Sequence, residues 1–307
     1  MNRPDEATPA IETIGLGRRY RWRWALRECS LNLPAGHVIG LVGPNGAGKT
    51  TLLHILTGLL EPTTGRARVL GGAPRDLHAL RRIGFVAQDK PLYGWFTVND
   101  MLRMGGWLNP SWDRASALAH LAGLDIPLDQ RCGSLSGGQR AQVALAVALG
   151  KRPDLLLLDE PVANLDPLAR RQFMQVLLEH VAATGMTVVL SSHLLADLER
   201  AWDYLVLLSA SRVQLSATTE ELLHQHRVVA GPPEKVQAIE AAHTVVQSSI
   251  TDRQAHLLIR TGGLVHDPDW TARPASLEEI VLAYMSQPLA GATPALTLAG
   301  TAAKGSR

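Results

Sequence analysis

The residues with the clearest chemical capacity lie in a glycine-rich run that ends in a lysine and a threonine. The run is Gly43-Pro44-Asn45-Gly46-Ala47-Gly48-Lys49-Thr50, and it has the form G-x-x-x-x-G-K-[ST] of a phosphate-binding loop. Glycines let backbone N–H groups turn inward without a Cβ clash, and the N-terminus of a following helix adds to this anion cradle. In such a loop the lysine reaches the β- and γ-phosphates and the threonine holds Mg²⁺. The run therefore predicts a nucleoside triphosphate site.

The segments on either side of this run have the order that such a loop requires. Residues 37–42 are apolar and predict a buried strand, whereas residues 51–56 predict a helix. A strand before the loop and a helix after it argue against the alternative, a chance glycine-rich turn.

An acidic pair forms the second candidate. Asp159 and Glu160 directly follow four leucines at residues 155–158, which predict a buried parallel strand. A carboxylate at the end of such a strand can orient Mg²⁺ or its waters. A buried acidic pair costs free energy unless a cation or hydrogen bonds compensate it, which favours a functional pair over a polar strand terminus.

The third candidate is the run Leu135-Ser136-Gly137-Gly138-Gln139. Ser136 can cap a helix predicted over residues 137–149, and the glycines leave the first N–H groups of that helix open to an anion. One chain does not need two γ-phosphate sites for one nucleotide. This second anion site therefore has to be explained.

The three runs, in this order, resemble the ATP-binding cassette (ABC) family, whose ATPase subunits drive membrane transport. The resemblance covers about residues 10–220. It implies an α/β fold of the P-loop NTPase type, with a parallel-sheet core, an antiparallel β subdomain and a helical lobe at about residues 89–150 that carries the signature run. It also implies ATP and Mg²⁺ as cofactors.

The resemblance assigns catalytic roles to Glu160 as the general base, His193 as the switch histidine, Gln88 as the Q-loop glutamine and Lys49 as the phosphate ligand. His193 follows a strand predicted over residues 186–190, and Gln88 follows a strand-like segment at 83–87. Mg²⁺ is expected at Thr50, Gln88 and Asp159. The residues that the resemblance places against ATP within one chain are Tyr20, Gly43, Pro44, Asn45, Gly46, Ala47, Gly48, Lys49, Thr50, Thr51, Gln88 and Asp159.

The choice of Tyr20 rests on a segment in which aromatic residues alternate with arginines. Alternation over residues 18–24 predicts one strand with Tyr20, Trp22 and Trp24 on one face and the arginines on the other. The family places an adenine-stacking aromatic residue about this far before the phosphate loop, so Tyr20 resembles that residue and Trp22 is the alternative. An exposed hairpin strand without a ligand is a simpler interpretation. A nucleic-acid surface is a further alternative, and the net charge of +2 argues against it.

The family accounts for the second anion site by a head-to-tail dimer. The signature of one subunit closes over the ATP held by the other, so Ser136, Gly137, Gly138 and Gln139 are expected to contact nucleotide in trans. Asp166 resembles the D-loop aspartate that crosses this interface. The chain departs from the family at Asn164, Gln142 and Val147, and these departures bear on coupling between the sites rather than on ATP binding.

The chain changes character at about residue 225. Strands are predicted at 227–230, 243–247 and 256–260, with a helix at 233–242 and a last helix that runs from a capping box at Ser276 to residue 285. We expect a small α+β domain at 225–288, either regulatory, dimerising or merely stabilising, in which His224 and His226 are solvated rather than metal ligands. Residues 1–9 and 289–307 are predicted to be flexible tails.

Composition favours a cytosolic chain, and the family resemblance implies a membrane partner. No run of 18 apolar residues and no signal peptide is present, and the two cysteines lack metal-site spacing. We therefore expect a peripheral protein at the cytoplasmic face of the membrane. Its partners would be a separate transmembrane permease and a second ATPase subunit, identical or paralogous. Trp95, Phe96, Trp107 and Trp112 belong either to the core of the helical lobe or to an exposed groove for that partner.

Three functions remain open at this point. The first is the ATPase subunit of a transporter, most like the antibiotic, multidrug and ABC-2-type exporter subunits because of the short C-terminal domain, with an importer as the alternative. The second is a soluble ABC protein of translation or DNA repair, which usually has two cassettes or long coiled coils. The third is a nucleotide-binding module without turnover, against which Lys49, Asp159, Glu160 and His193 argue.

Overall fold

The N-terminal part of the chain forms a small antiparallel sheet. The computed structural model describes residues 9–163, 165–193, 201–263 and 268–286. Strands β1 (Ile11–Tyr20), β2 (Arg23–Leu33) and β4 (Thr64–Val69) pair in the order β2-β1-β4. Leu26, Leu31 and Leu33 of β2 turn inward between exposed neighbours, as expected of a sheet with one covered face.

The turn between β1 and β2 contradicts the prediction of one strand over residues 18–24. β1 ends at Tyr20 and β2 begins at Arg23, which lies directly opposite Tyr20. Arg21 and Trp22 form a two-residue turn in which Arg21 has a φ of 50°, and Trp22 is 94% exposed. Such turns need positive φ and usually contain glycine or asparagine, so the sequence carries no local signal for this one.

The central sheet has six strands in the order β5-β6-β7-β3-β8-β9, of which the first five are parallel. Its central strands are buried at every position because both faces are covered. The strands predicted at residues 37–42 and 155–158 are confirmed, the first of them beginning at Val38. The bounds are β3 (Val38–Val42), β5 (Ile83–Val86), β6 (Leu155–Leu158), β7 (Thr187–Ser192), β8 (Tyr204–Ser209) and β9 (Arg212–Thr218).

The helices around this sheet complete the part that carries the three sequence runs. They are α1 (Lys49–Leu56), α2 (Leu77–Arg82), α3 (Val98–Leu108), α4 (Arg114–Ala122), α5 (Gly137–Gly150) and α6 (Pro167–Thr184). Strands β6, β7 and β3 are neighbours and run in parallel, so their carboxyl ends meet at one edge of the sheet. The loops that leave this edge contain the phosphate loop, the acidic pair and His193.

Helices α3, α4 and α5 form a lobe around their own apolar cluster. Trp112 packs inside it, because a Cβ placed on Gly105 would lie 2.4 Å from the indole ring. Phe96 is partly buried against the same cluster, whereas Trp95 and Trp107 are 72% and 76% exposed. Two of the four aromatic residues therefore pack with the core of the lobe, and the other two are exposed.

The C-terminal part contains a second antiparallel sheet, with the order β11-β12-β10-β13. The predicted strands and helices are present, and the final helix is capped as expected, since Ser276 N–H donates to Glu279 and Glu279 N–H donates to Ser276 Oγ. Strand β13 was not predicted. The bounds are α7 (Thr219–Gln225), β10 (His226–Gly231), α8 (Val236–Ala242), β11 (Thr244–Ile250), β12 (Ala255–Arg260), β13 (Thr271–Pro274) and α9 (Leu277–Ser286).

His226 is not solvated, which corrects the expectation from the sequence. It is 1% exposed, with Nδ1 2.7 Å from the Leu222 carbonyl and Nε2 3.1 Å from the Tyr284 hydroxyl. Burial lowers the pKa of this imidazole. His226 therefore joins α7 to α9.

One buried cluster runs through both the central sheet and the C-terminal part. It includes Leu158 of β6, Leu190 of β7 and Leu222 of α7 together with Leu277 and Ile280 of α9. The predicted tails lie outside the described residues, apart from Pro9. No helix within the described ranges combines the length and apolar character that a bilayer crossing requires.

Candidate nucleotide site

The phosphate loop connects β3 to α1 through glycines that nothing larger could replace. Gly43 and Gly48 have φ values of 156° and 109°. A Cβ at Gly43 would lie 2.1 Å from the Leu208 carbonyl oxygen, and one at Gly48 would lie 2.3 Å from the Ala25 carbonyl oxygen. The loop is therefore pressed against β8 and β2, and its conformation depends on glycine.

Lys49 is the first residue of α1 and is only 5% exposed. Its Nζ donates to the Gly43 carbonyl oxygen at 2.7 Å and lies 3.4 Å from Glu160 Oε1. A buried ammonium group is stable only when acceptors surround it, and here the loop and the acidic pair supply them.

The acidic pair is held by a serine that sequence reasoning left without a role. Ser191 is fully buried; its Oγ donates to Asp159 Oδ1 at 2.7 Å and accepts the Glu160 N–H at 2.8 Å. Glu160 has a φ of 45°, a conformation that costs a non-glycine residue free energy and persists only when its surroundings fix it. The only sequence signal for Ser191 was its place two residues before His193, at the end of a strand.

The other end of Glu160 reaches both predicted catalytic partners. Its Oε2 lies 2.9 Å from Nδ1 of His193, while Oε1 faces Lys49. The carboxyl group is 10% exposed and the histidine side chain 40% exposed. A carboxylate is therefore held between a cation and an imidazole at the wall of an open cleft.

That cleft has a volume of 550 Å³ and unites most of the predicted site. The predicted residues that line it are Tyr20, Asn45, Gly46, Gly48, Lys49, Thr50, Thr51, Gln88, Glu160 and His193. Of the remaining predicted residues of this group, Gly43, Pro44, Ala47 and Asp159 do not line it, and Asp159 is buried to 1% exposure beneath the wall. Arg23, Trp24, Ala25 and Ala163 line the cleft without having been predicted.

Tyr20, and not Trp22, is the aromatic residue of the pair at this cleft. Tyr20 is 47% exposed, and the Arg18 guanidinium lies 4.9 Å from the centre of its ring. Trp22 points away at the tip of the hairpin and does not line the cleft. The geometry favours Tyr20 as the residue on which a nucleotide base would stack.

The signature residues lie apart from this cleft and contact chiefly each other. Ser136 Oγ accepts the Gln139 N–H at 3.2 Å, and Gln139 Oε1 accepts the Ser136 N–H at 3.1 Å. No atom of the described residues lies within 4 Å of a Cβ built on Gly137, so the N-terminus of α5 is open. Asp166 is exposed and caps α6 by accepting the Ala169 N–H at 2.9 Å. None of these residues lines the cleft.

The donor atoms near the phosphate loop suit Mg²⁺. Thr50 and Gln88 line the cleft, and the Asp159 carboxylate is buried, with Oδ1 accepting the Ser191 hydroxyl. Mg²⁺ prefers oxygen ligands and takes few carboxylates, keeping waters and phosphate oxygens in its shell. The described residues contain no cluster of three or more His, Cys, Asp or Glu that could hold a metal, and a phosphate-bound Mg²⁺ does not need one.

The loop after Gln88 contains a buried lysine near the signature helix. Lys90 is 8% exposed, and burial, followed by the nearby Arg140 charge, lowers the pKa of its ammonium group. Arg140 belongs to α5, so two like charges face each other between this loop and that helix.

A larger cavity, of 690 Å³, lies near the opposite edge of the central sheet. Arg82 in its wall is already bonded to Asp154, and none of the predicted site residues lines it. Size alone therefore does not identify the functional site, and the chemistry of the wall does.

A phosphate loop, an acidic pair and a histidine at the carboxyl edge of a parallel sheet define a nucleotide-hydrolysing protein of the P-loop class. The family model described as ABC transporter matches residues 26–163. Relatives of this kind are at least 30% identical to the chain, and the chain covers more than two thirds of their length. The chain therefore belongs to the ATP-binding proteins of the ABC transporters, a family of ATPases, which confirms the predicted family and fold.

Relatives and solved structures support this assignment. An uncharacterized ABC transporter ATP-binding protein of Nostoc is 34% identical over 65% of this chain, and the chain spans 61% of that protein's length. The daunorubicin/doxorubicin resistance ATP-binding protein DrrA of Streptomyces peucetius is 36% identical over 71% of this chain and 68% of its own. A dimeric ATP-binding cassette in a post-hydrolysis state, bound to ADP and Pi, superposes with a TM-score of 0.61 at 26% identity, over 68% of this chain and 98% of its own.

Proposed function

We propose that ATP bound in the cleft is hydrolysed with Glu160 as the base, and that this drives a separate membrane permease. The observation that carries the proposal is the position of the Glu160 carboxylate between Lys49 Nζ and His193 Nδ1 at the wall of the cleft. A general base must lie close to the water it activates and be held in orientation. Glu160 meets the second requirement through Ser191 and the first through the phosphate loop beside it.

The roles of the remaining cleft residues follow from their positions. Lys49 and the loop N–H groups bind the β- and γ-phosphates, and Tyr20 stacks on the base. Glu160 takes a proton from the attacking water, and His193 orients that carboxylate and approaches the γ-phosphate. Thr50, Gln88 and Asp159 would hold Mg²⁺. Mg²⁺, when bound, neutralises charge that develops on the phosphates.

The signature residues act on the nucleotide of a second subunit. Ser136, Gly138 and Gln139 stand at the open N-terminus of α5, where N–H groups and the helix dipole favour an anion. They are separate from the cleft of their own chain, which supports a head-to-tail dimer with Asp166 at the interface. The second subunit is either an identical chain or a paralogue.

The transporter that contains this subunit is proposed to be an exporter. DrrA, the drug resistance protein, and the Nod factor export ATP-binding protein I of Rhizobium leguminosarum are 36% and 35% identical to this chain. Import is the second candidate, because the phosphonates import ATP-binding protein PhnC of Alcaligenes faecalis is 39% identical. In either direction the chain would lie at the cytoplasmic face, with a cassette at about 10–220 and the smaller C-terminal domain at 225–288.

Glu160→Gln tests the shared site. The substitution keeps size and polarity but removes the base, so ATP should still bind while turnover falls by about 10²–10⁴-fold. ATP with Mg²⁺ should then shift this variant from monomer to dimer in size-exclusion chromatography with light scattering. Ser136→Arg on the same background should return it to monomer.

Two results would count against the proposal. Near wild-type turnover by Glu160→Gln would remove Glu160 from the mechanism. An ATP-loaded Glu160→Gln chain that stays monomeric at tens of micromolar, even when its permease is supplied, would contradict the shared site.

A further inference from the structure

The cleft contains a cation that the phosphate-loop chemistry does not use. Arg23 is the first residue of β2, and the two-residue turn places it directly opposite Tyr20. In an antiparallel pair, opposite residues project to the same face of the sheet, so both side chains line the cleft. We propose that Arg23 is a further nucleotide-binding residue whose guanidinium contacts the phosphate chain of ATP, an inference that rests on the proposed function of this cleft.

The Arg23 guanidinium lies close to the phosphate loop. Arg23 Nη2 lies 3.9 Å from a Cβ built on Gly46, at the exposed tip of the loop. Gly46 and Asn45 line the same cleft as Tyr20 and Lys49. Arg23 therefore lies beside both Tyr20, the proposed stacking residue, and the phosphate loop, where the phosphate chain of ATP would pass.

The electrostatic balance of the cleft leaves a role for this charge. The Lys49 ammonium lies 3.4 Å from the Glu160 carboxylate, so part of its field is already compensated. A nucleoside triphosphate carries several negative charges, more than one partly compensated lysine balances. Among the described residues, Arg23 is the other arginine or lysine that lines the cleft.

Arg18 and Arg19 of β1 contact other groups of the protein, whereas Arg23 has no such contact within the described part of the chain. Arg18 donates to the Glu61 carbonyl oxygen at 3.0 Å and lies over the Tyr20 ring, and the Arg19 guanidinium lies 5.5 Å from the Trp24 ring centre. Among the described residues, no acceptor, carboxylate or ring contacts the Arg23 side chain. A planar guanidinium suits phosphate oxygens because it can donate two parallel hydrogen bonds.

Binding of fluorescent ATP, ADP and AMP analogues to the full chain tests this role. Arg23→Ala should weaken ATP binding about three- to tenfold, the scale of one charge-assisted hydrogen bond at an exposed position. The loss should be smaller for ADP and smallest for AMP, because fewer phosphates remain to be contacted. Arg23→Lys should recover part of the loss, since it keeps the charge but not the fork.

Arg21→Ala is the matched control. Arg21 lies in the same turn and also lacks a partner among the described residues, but it does not line the cleft. It should bind all three nucleotides like the wild-type chain, although the change in net charge is the same. Melting temperatures of both variants should equal that of the wild-type chain, because both side chains are exposed.

Each other outcome has a defined meaning. Equal losses for ATP and AMP would overturn the proposal, because the contact would then be with base or ribose. Equal losses in Arg23→Ala and Arg21→Ala would also overturn it, as an effect of net charge. Wild-type affinity in Arg23→Ala would overturn it while leaving the ATP site intact, whereas failure of the wild-type chain to bind ATP would refute the proposed function itself.

Discussion

The cleft and the signature end of α5 are built in opposite ways. At the cleft, residues far apart in the sequence contact one another, as Lys49 does Glu160 and Ser191 does Asp159. At the signature end, Ser136 and Gln139 contact each other, three residues apart, and no other segment of the described residues lies within 4 Å of a Cβ built on Gly137. The cleft is thus held by contacts between distant segments, whereas the N-terminus of α5 is capped locally, with Gly138 beside Ala169 of α6.

This difference indicates which of the two sites a single chain forms by itself. A site whose groups are fixed by long-range contacts is preorganised before its ligand arrives. A helix N-terminus with locally satisfied caps and an open outer face has the structure of a docking surface, and it needs an anion from elsewhere. The contrast predicts that substitutions in the cleft weaken ATP binding by one chain. Substitutions at the signature end should instead reduce only the turnover that requires two chains.

The largest expected effect comes from comparing Lys49→Ala with Ser136→Arg. Loss of Lys49 should weaken ATP binding by the single chain about 10–100-fold, the scale of lost hydrogen bonds to a charged group, and abolish turnover. Ser136→Arg should also abolish turnover but leave binding by the single chain unchanged. Equilibrium nucleotide binding at submicromolar protein, beside steady-state ATPase assays, makes the distinction.

The melting temperature of Lys49→Ala belongs to the same experiment. The substitution leaves the Glu160 carboxylate buried without its cation, which destabilises a fold. The comparison between the two regions would be wrong if Ser136→Arg weakened binding as much as Lys49→Ala did.

An intermediate effect is expected at Ser191, which tests whether long-range contacts hold the cleft. Ser191→Ala leaves the Glu160 N–H and an Asp159 oxygen buried without this partner, at a cost of about 1–3 kcal/mol in the free energy of unfolding. Turnover should fall about tenfold, the order expected when a general base loses its orientation, with little change in KM. Ser248→Ala, at an exposed position in β11, is the control and should change neither quantity. Wild-type turnover in Ser191→Ala would show that Glu160 is positioned without it.

The smallest expected effect distinguishes Tyr20 from Trp22 within the cleft. Tyr20→Ala should weaken ATP affinity several-fold, since stacking contributes about 0.5–1.5 kcal/mol beyond buried area. Saturated turnover should change less. Trp22→Ala should leave ATP affinity unchanged because its side chain is at the hairpin tip. A larger loss in Trp22→Ala than in Tyr20→Ala would reverse the assignment.

The parts of the fold that the sequence predicted are those with a strong local signal. Residues 155–158 form a strand because four leucines can be buried on both faces of a sheet, and the capping boxes at Ser136 and Ser276 start helices where their residue types require. The phosphate loop was equally predictable from the sequence, because its glycines and Lys49 are the residue types that this loop conformation requires.

The parts that escaped depend on contacts made elsewhere in the chain. The turn at Arg21 and Trp22 lacks glycine or asparagine and is imposed by the pairing of β1 with β2. Ser191 contacts the acidic pair because β7 lies beside β6, and His226 is buried because α9 packs against it. Periodicity and composition do not contain such information, since each residue type alone is compatible with the surface.

The apolar cluster shared by the central sheet and α9 has a consequence for how the molecule is made. Leu158 and Ile280 belong to one cluster although more than one hundred residues separate them. A ribosome releases the phosphate loop and the acidic pair long before it releases α9, so the nascent chain carries an unfinished core during much of its synthesis. Contacts between such distant segments also slow folding. Helix α9, the last helix of the described chain, therefore completes a core whose other members were synthesised much earlier.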